Sequence, residues 1–269
     1  NSRIILNYKL KGNFFSPFKS LPALGPNRTH ILCMHTVCKD VEQRTKFIAG
    51  LEGNIGSGKT SLVAELKRRI NNSSLEPLKF VDEPVEKWTD FNGINLLQLM
   101  YSDPIRWSNL FQAYVMLTMV DGHRQADLVS EGPCLIERTL HSCAQIFVKS
   151  LHQRGQLESC DYEILCQWYK SFIENQLYHL DLIIYLRASP SVCLERVRRR
   201  DRNEERGISL ELLAGMHELH ESWLASADSR PPIGADRVVV LDAECSPEQL
   251  NEQWDRLVVP LLPSRKVAE

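Results

Sequence analysis

The segment Gly53-Asn54-Ile55-Gly56-Ser57-Gly58-Lys59-Thr60 matches the pattern G-x-x-x-x-G-K-[ST] at every fixed position. Its glycines let backbone N–H groups turn toward one point, and the helical pattern that follows adds its positive amino end. We expect Lys59 to reach the outer phosphates of a nucleoside triphosphate and Thr60 to offer its hydroxyl to Mg²⁺. The segment, continued by Ser61, therefore predicts a phosphate-binding loop.

Short apolar runs alternate with helical patterns on both sides of this loop. Strands separated by helices form parallel sheets that helices cover on both faces. The pattern therefore predicts an α/β fold with a five-stranded parallel sheet. Predicted strands cover residues 47–51, 79–81, 133–136, 181–186 and 237–241, and predicted helices cover 59–70, 103–127, 140–151, 162–177 and 209–225, with two more beginning near 189 and 246.

The composition is that of an ordinary globular protein. Hydrophobic residues make up 43% and charged residues 25%, and the formal net charge is -2. No overall basic field attracts nucleic acid, and no apolar run approaches the ~20 residues of a membrane span. The 8 cysteines form no CxxC pair, which predicts free thiols in a reducing compartment.

Beyond the loop, residues that carry chemistry fall into a series of segments. They are EPVEKW at 83–88, LMY at 99–101, FQAYV at 111–115 with LTM at 117–119, ERT at 137–139, and RVRRRDRNEE at 196–205. In kind and order they resemble the deoxyribonucleoside kinases, most of all the branch of the insect multisubstrate and mitochondrial thymidine kinases. The resemblance covers roughly residues 46–243. It implies a P-loop kinase fold with an arginine-rich lid, ATP and Mg²⁺ as cofactors, and a homodimer.

The chain thus divides into three predicted parts. Residues 1–45 form a basic leader whose first acid is Asp40, and we interpret it as a disordered or organelle transit segment. Residues 46–260 form the deoxynucleoside kinase domain, and residues 261–269 form a tail. The leader favours a mitochondrial location over a cytoplasmic one.

The resemblance assigns the chemistry to one carboxylate and several basic side chains. A hydroxyl is a weak nucleophile, so a carboxylate in hydrogen-bond reach assists by taking its proton. Glu83, directly after the second predicted strand, is the expected base, and Arg138 is expected to bridge it to the reacting oxygen. The 3-residue segment also contains Thr139 where the family's pattern has serine, which keeps the hydroxyl.

Other residues are expected to act on the triphosphate. Glu137 and Thr60 are the expected Mg²⁺ ligands. Lys59, with Arg200 and Arg202 of the lid, is expected to stabilise the transferred phosphoryl group, whereas Arg196, Arg198 and Arg199 are interpreted as solvated or structural. By resemblance alone, Asp242 opens the loop around the adenine.

The acceptor pocket is expected to hold a pyrimidine. Gln112 offers an amide donor and an acceptor to the base, and Tyr101 and Glu205 match residues that bind the sugar 3′-hydroxyl. Met119 and Cys143 occupy positions where deoxycytidine-specific relatives have Arg and Asp, which predicts room for a thymine methyl. The other expected pocket residues are Glu83, Trp88, Met100, Phe111, Val115, Arg138 and Phe147.

Two other functions remain open at this stage. A thymidylate-type nucleoside monophosphate kinase shares the sheet and the lid, but it needs basic groups for the acceptor phosphate where this chain has Glu83. A P-loop regulator that only binds nucleotide needs no acceptor pocket, and the guanine-reading N-K-x-D segment of a GTPase is missing from the sequence.

Overall fold

The computed structural model describes residues 46–71, 78–129, 132–175, 177–226 and 233–263. The predicted leader and residues 264–269 of the predicted tail lie outside the described residues. Within the described part, none of the helices combines the length and the apolar character needed to cross a membrane.

A parallel sheet of five strands forms the centre of residues 46–263, in the order β2-β3-β1-β4-β5. The inner strands β1 and β3 are buried along their whole length, whereas the edge strands β2 and β5 are partly exposed. Uniformly apolar runs suit inner strands because helices cover both of their faces. The strands are β1 (Ile48–Glu52), β2 (Lys79–Val81), β3 (Cys134–Glu137), β4 (Leu182–Arg187) and β5 (Val238–Asp242).

Ten helices surround the sheet in the described residues, and the predicted fold class is confirmed. Short 3-10 turns at Asn203–Glu205, Ala235–Arg237 and Val259–Leu261 connect or end them. The helices are α1 (Lys59–Asn71), α2 (Val85–Thr89), α3 (Leu96–Ser102), α4 (Pro104–Val129), α5 (Leu140–Ser142), α6 (Lys149–Gln153), α7 (Ser159–Glu174), α8 (Pro190–Arg200), α9 (Leu210–His220) and α10 (Pro247–Leu257).

The structure departs from the predicted elements in two ways. The short helices α2 and α3 were not expected, because neither is long enough to show a helical repeat. Two predicted helices contain a π-helical segment: Cys143–Val148 lies between α5 and α6, and Glu221–Ala225 follows α9. Such wider turns often occur at functional sites.

The strand register brings the expected site residues to one edge of the sheet. Leu51 of β1 lies opposite Glu137 of β3, and Ile136 lies opposite Val81 of β2. The phosphate-binding loop, the residues after Glu137 and those after Val81 therefore all leave the carboxyl edge, where parallel sheets place their ligands.

Two buried histidines lie in the helical layers. The Nδ1 atom of His141 is 2.8 Å from the hydroxyl of Tyr169, and Nδ1 of His220 is 2.7 Å from the carbonyl of Met216. Burial lowers the pKa of His141 to about 4 and that of His220 to about 3. Both imidazoles are therefore neutral in the folded protein at neutral pH.

These shifts predict loss of stability in mild acid. In the unfolded chain these histidines become protonated near pH 6.5, whereas in the folded chain they stay neutral until the pH is much lower. Their contribution to the free energy of unfolding is therefore fully present above pH 6.5 and is lost as the pH falls toward 4. The double variant His141→Gln and His220→Gln should show a weaker fall. Thermal unfolding at about pH 7 and about pH 5 measures it. An equal pH dependence in both proteins would contradict the assignment.

Candidate active site

A cavity of about 1050 Å³ opens at the carboxyl edge of the sheet. Ligand pockets typically measure ~300–1,000 Å³, so this cavity lies at the upper end of that range. All the predicted site residues line it except Gly53, Asn54, Met119 and Asp242.

The four exceptions have different positions. Gly53 and Asn54 belong to the phosphate-binding loop and present their carbonyl oxygens to Lys59. Met119 is buried in α4 without reaching the cavity. Asp242 lines a separate cavity of about 500 Å³, and one of its carboxylate oxygens accepts a hydrogen bond from the Glu244 amide. This placement corrects the expectation for Asp242, because its neighbour Ala243 lines the main cavity instead.

The phosphate-binding loop wraps around the amino end of α1. Gly56 and Gly58 have φ angles of 80° and 104°, which favour glycine, and a Cβ on Gly56 would lie 2.5 Å from the carbonyl oxygen of Cys193. The Nζ atom of Lys59 donates to the carbonyl oxygens of Gly53 and Asn54, at 2.9 Å each. Burial and the charge of Arg138 lower the pKa of Lys59 to about 8.

Glu83 and Arg138 form an ion pair inside the cavity. Nε of Arg138 donates to Oε1 of Glu83 at 2.5 Å, and Nη1 lies 3.5 Å from the carbonyl oxygen of Gly53. The guanidinium carbon is 4.6 Å from the ring centroid of Phe147, a cation–π distance. Arg138 therefore connects the expected base to the same loop carbonyl that Lys59 contacts.

Arg138 has an unusual backbone conformation. Its φ angle is 61°, in the left-handed region that costs a non-glycine residue of the order of 1–3 kcal/mol. This conformation changes the direction of the chain after β3, and the Arg138 side chain lines the cavity. Residues held in this way occur often at functional sites, because the surrounding structure must compensate for the strain.

The two expected Mg²⁺ ligands contact each other. The Thr60 hydroxyl donates to Oε1 of Glu137 at 2.5 Å, and burial raises the pKa of the Glu137 carboxyl. A hydroxyl and a carboxylate are oxygen donors of the kind that Mg²⁺ prefers, and Mg²⁺ usually keeps only one or two protein ligands beside the phosphates. The donor set therefore fits the ion.

Aromatic side chains and one amide line the part of the cavity that is expected to hold the acceptor. Trp88 and Phe111 meet edge to face, with ring centroids 5.9 Å apart. Gln112 is buried, and the Cys143 thiol lies 3.4 Å from its Oε1 atom, in position to donate a hydrogen bond. The Oε1 atom of the amide faces Cys143 in this arrangement. Burial and the carboxylate of Glu205 raise the pKa of Tyr101, so this phenol keeps its proton.

The arginine-rich segment that is expected to form the lid also lines the cavity. Arg200 donates to both carboxylate oxygens of buried Glu205, at 2.6 and 2.5 Å, and Nη1 of Arg202 lies 3.5 Å from Oε1. The lid arginines and the residue expected to bind the sugar are thus paired with each other.

Arg196 has a more direct place than the sequence indicated. It lines the cavity and donates to the carbonyl oxygens of Ser57, at 2.9 Å, and Ala243, at 2.7 Å. It therefore joins the phosphate-binding loop to the loop after β5. Its spacing of four residues from Arg200 puts both on one face of α8, and that signal was available in the sequence.

A second group of possible metal ligands lies outside the cavity. Nε2 of His123 accepts a hydrogen bond from the backbone amide of His179 at 3.2 Å. The same Nε2 atom lies 3.3 Å from Nδ1 of His179 and 3.8 Å from Oδ2 of Asp127. Because this nitrogen lone pair already accepts a backbone hydrogen bond, the group is explained as a hydrogen-bonded cluster.

Comparison with known proteins agrees with this geometry. The family described as deoxynucleoside kinase matches residues 50–259. Human mitochondrial thymidine kinase 2 is 37% identical over 226 residues, which cover 82% of this chain and 82% of the relative. The enzyme of the same name from Macaca fascicularis is 39% identical over the same length, and human deoxycytidine kinase is 36% identical over 201 residues, 65% of this chain and 74% of its own.

The family match extends over most of the described residues and includes the loop, the Glu83–Arg138 pair and the lid. It agrees with a cavity in which a triphosphate loop and an acceptor pocket open onto each other. This chain belongs to the deoxynucleoside kinase family.

Proposed function

We propose that this kinase uses ATP-Mg²⁺ to phosphorylate the 5′-hydroxyl of deoxyribonucleosides, and that the pyrimidines thymidine and deoxycytidine are its preferred acceptors. The observation that carries the proposal is the Arg138 bridge, which touches Glu83 on one side and the phosphate-binding loop on the other. A hydroxyl beside Glu83 would meet the terminal phosphate at that point.

The reaction needs little covalent help from the protein. As the 5′-oxygen bonds to the γ-phosphorus, the bond from that phosphorus to the β–γ bridging oxygen breaks, and ADP leaves. Glu83 accepts the proton of the hydroxyl. Lys59 and Arg138 hold positive charge against the phosphoryl oxygens, and a Mg²⁺ held by Thr60 and Glu137 would neutralise further negative charge.

The charges at the acceptor end disfavour a nucleoside monophosphate. Glu83 and Glu205 both line that part of the cavity, and the guanidinium of Arg200 is paired with Glu205. The guanidiniums of Arg138 and Arg200 are already paired with these two carboxylates, so an acceptor phosphate would have to compete with the carboxylates for positive charge. The acceptor pocket itself disfavours a regulator that only binds nucleotide.

One assay separates these functions. ADP release from ATP-Mg²⁺ should be fast with thymidine, slow with thymidylate and slow with no acceptor. Fast turnover with thymidylate would support the monophosphate kinase, and equal release in all three reactions would indicate a simple ATPase.

Base preference should depend on Cys143. The double variant Met119→Arg and Cys143→Asp is expected to shift preference from thymidine toward deoxycytidine and purines by at least about tenfold in kcat/KM. The introduced carboxylate would repel Oε1 of Gln112, which now faces the thiol at 3.4 Å, and would turn the amide over. The substrate panel measures the change, with Cys143→Ser as the conservative control. An unchanged ranking would refute this base-pocket assignment.

We also propose that the kinase is a homodimer. Helices α4 and α7 pack against each other, and each leaves large apolar side chains exposed: Leu110 and Leu117 on α4, and Ile164 and Trp168 on α7. Exposed apolar groups of this size are typical of interaction surfaces.

The dimer is tested by breaking this surface. Leu117→Glu with Trp168→Glu should shift the mass measured by light scattering from two chains to one. The matched control is Leu261→Glu, because Leu261 is similarly exposed but lies at the carboxyl end of the described chain. A monomeric wild-type protein, or a dimeric double variant, would contradict the assignment.

The proposed location is mitochondrial, with the cytoplasm as the alternative. The acid-free residues 1–38 support it, and so does the similarity to the human mitochondrial enzyme thymidine kinase 2. Imaging of the tagged chain in cells, with and without residues 1–45, tests the proposal. Cytoplasmic signal from both forms would contradict it.

A further inference from the structure

We propose that Glu52 is a positioning residue for catalysis, which holds Arg138 in its strained conformation through Thr139; the inference rests on the proposed function of the Glu83–Arg138 pair. Glu52 is the last residue of β1 and is fully buried. It is not among the residues that line the cavity, so any effect on the reaction must pass through a neighbour.

The Glu52 carboxylate replaces a backbone carbonyl as the hydrogen-bond acceptor where the pairing of β1 with β3 ends. The Arg138 amide still donates to the carbonyl oxygen of Leu51, at 2.9 Å, as a parallel strand pair requires. The next amide, that of Thr139, donates instead to Oε1 of Glu52, also at 2.9 Å. The side chain of one strand therefore ends the ladder, and the chain turns at the residue between these two bonds.

The Thr139 hydroxyl gives this turn a second anchor. It donates a short hydrogen bond to the same Oε1 atom of Glu52 and accepts one from the His141 amide at 3.2 Å. Thr139 is the N-cap of α5, so the start of that helix is fixed to β1 through one carboxylate oxygen.

Gly50 makes room for the arrangement. A Cβ at Gly50 would lie 2.4 Å from the Cγ2 methyl of Thr139, too close for any other residue without a shift. The threonine methyl therefore fills the space above a glycine of the neighbouring strand. The turn is held by two hydrogen bonds to Glu52 and by this close packing.

Arg138 lies between the ladder bond and the Glu52 bond, with a φ angle of 61°. A left-handed residue keeps that conformation only where its surroundings over-determine it. When the Glu52 anchor is lost, Arg138 is expected to relax to an ordinary backbone conformation. Its guanidinium would then leave Glu83 and the Gly53 carbonyl, although no residue in the cavity has changed.

The first test uses matched variants at the two anchor positions. Glu52→Ala and Thr139→Val should lower kcat for thymidine at least about tenfold while the KM for thymidine stays within about threefold. Glu52→Gln and Thr139→Ser keep the acceptor and the hydroxyl, and they should recover most of kcat. Circular dichroism and the unfolding midpoint identify any variant that fails to fold.

The second test separates positioning from a general effect on folding. In an Arg138→Ala background, adding Glu52→Ala should change kcat less than about threefold, because the residue through which Glu52 acts is already gone. Multiplied losses in the double variant would overturn the proposal, and so would wild-type kcat in Thr139→Val. If the wild-type enzyme does not phosphorylate thymidine, the proposed function is refuted. Failure of the Glu52 proposal alone would instead leave an active wild-type enzyme, so the two failures can be told apart.

Discussion

Glu83→Gln is expected to lower kcat for thymidine phosphorylation by roughly 10²–10⁴-fold, with the KM for thymidine within about threefold of wild type. The amide keeps the size of the side chain and still accepts a hydrogen bond from Nε of Arg138, where the carboxylate now accepts at 2.5 Å. The amide cannot accept the hydroxyl proton in the transition state, so general-base catalysis is lost and kcat decreases.

The neighbouring carboxylate provides the control. Asp82 is exposed, pairs with Lys67 at 2.6 Å and does not line the cavity, so Asp82→Asn should leave kcat within about twofold. Steady-state kinetics with saturating ATP measures both variants. If kcat and KM change by the same factor in Glu83→Gln, Glu83 only binds the nucleoside.

Arg138→Lys should have the second large effect, a fall in kcat of about 10²-fold or more at little change in the ATP KM. The guanidinium contacts Glu83 through Nε, approaches the Gly53 carbonyl through Nη1 and stacks over Phe147. The lysine ammonium group is a compact point charge, so it cannot make all three contacts at once.

The same exchange at a surface ion pair should have almost no effect. Arg69 forms two hydrogen bonds to Asp255, at 2.9 and 2.7 Å, between α1 and α10. Arg69→Lys is expected to keep kcat within about twofold. An Arg138→Lys enzyme with wild-type kcat would show that only the charge at position 138 matters.

The order of elements could be predicted from the sequence because the signals are local. The inner strands are short apolar runs, several helices begin at recognisable caps, and the loop at 53–60 fixes the position of the first strand and helix. Ser246 illustrates the caps: its hydroxyl accepts a hydrogen bond from the backbone amide of Gln249, and its own backbone amide donates to Oε1 of Gln249.

Other features depend on contacts between distant residues, which a single sequence does not show. The left-handed turn at Arg138 is not indicated by its residue type, since arginine rarely adopts that conformation. It follows from a buried carboxylate on another strand. Two other features likewise depend on the folded arrangement. Asp242 lines a separate cavity, and the thiol of Cys143 forms a hydrogen bond with the amide of Gln112.

The pairing of Arg200 with Glu205 joins two expected roles in one ion pair. The Glu205 carboxylate has enough lone pairs to accept hydrogen bonds from a guanidinium and from a hydroxyl at the same time. If Glu205 binds the sugar as expected, movement of the arginine-rich segment and capture of the nucleoside are therefore mechanically coupled through a single side chain.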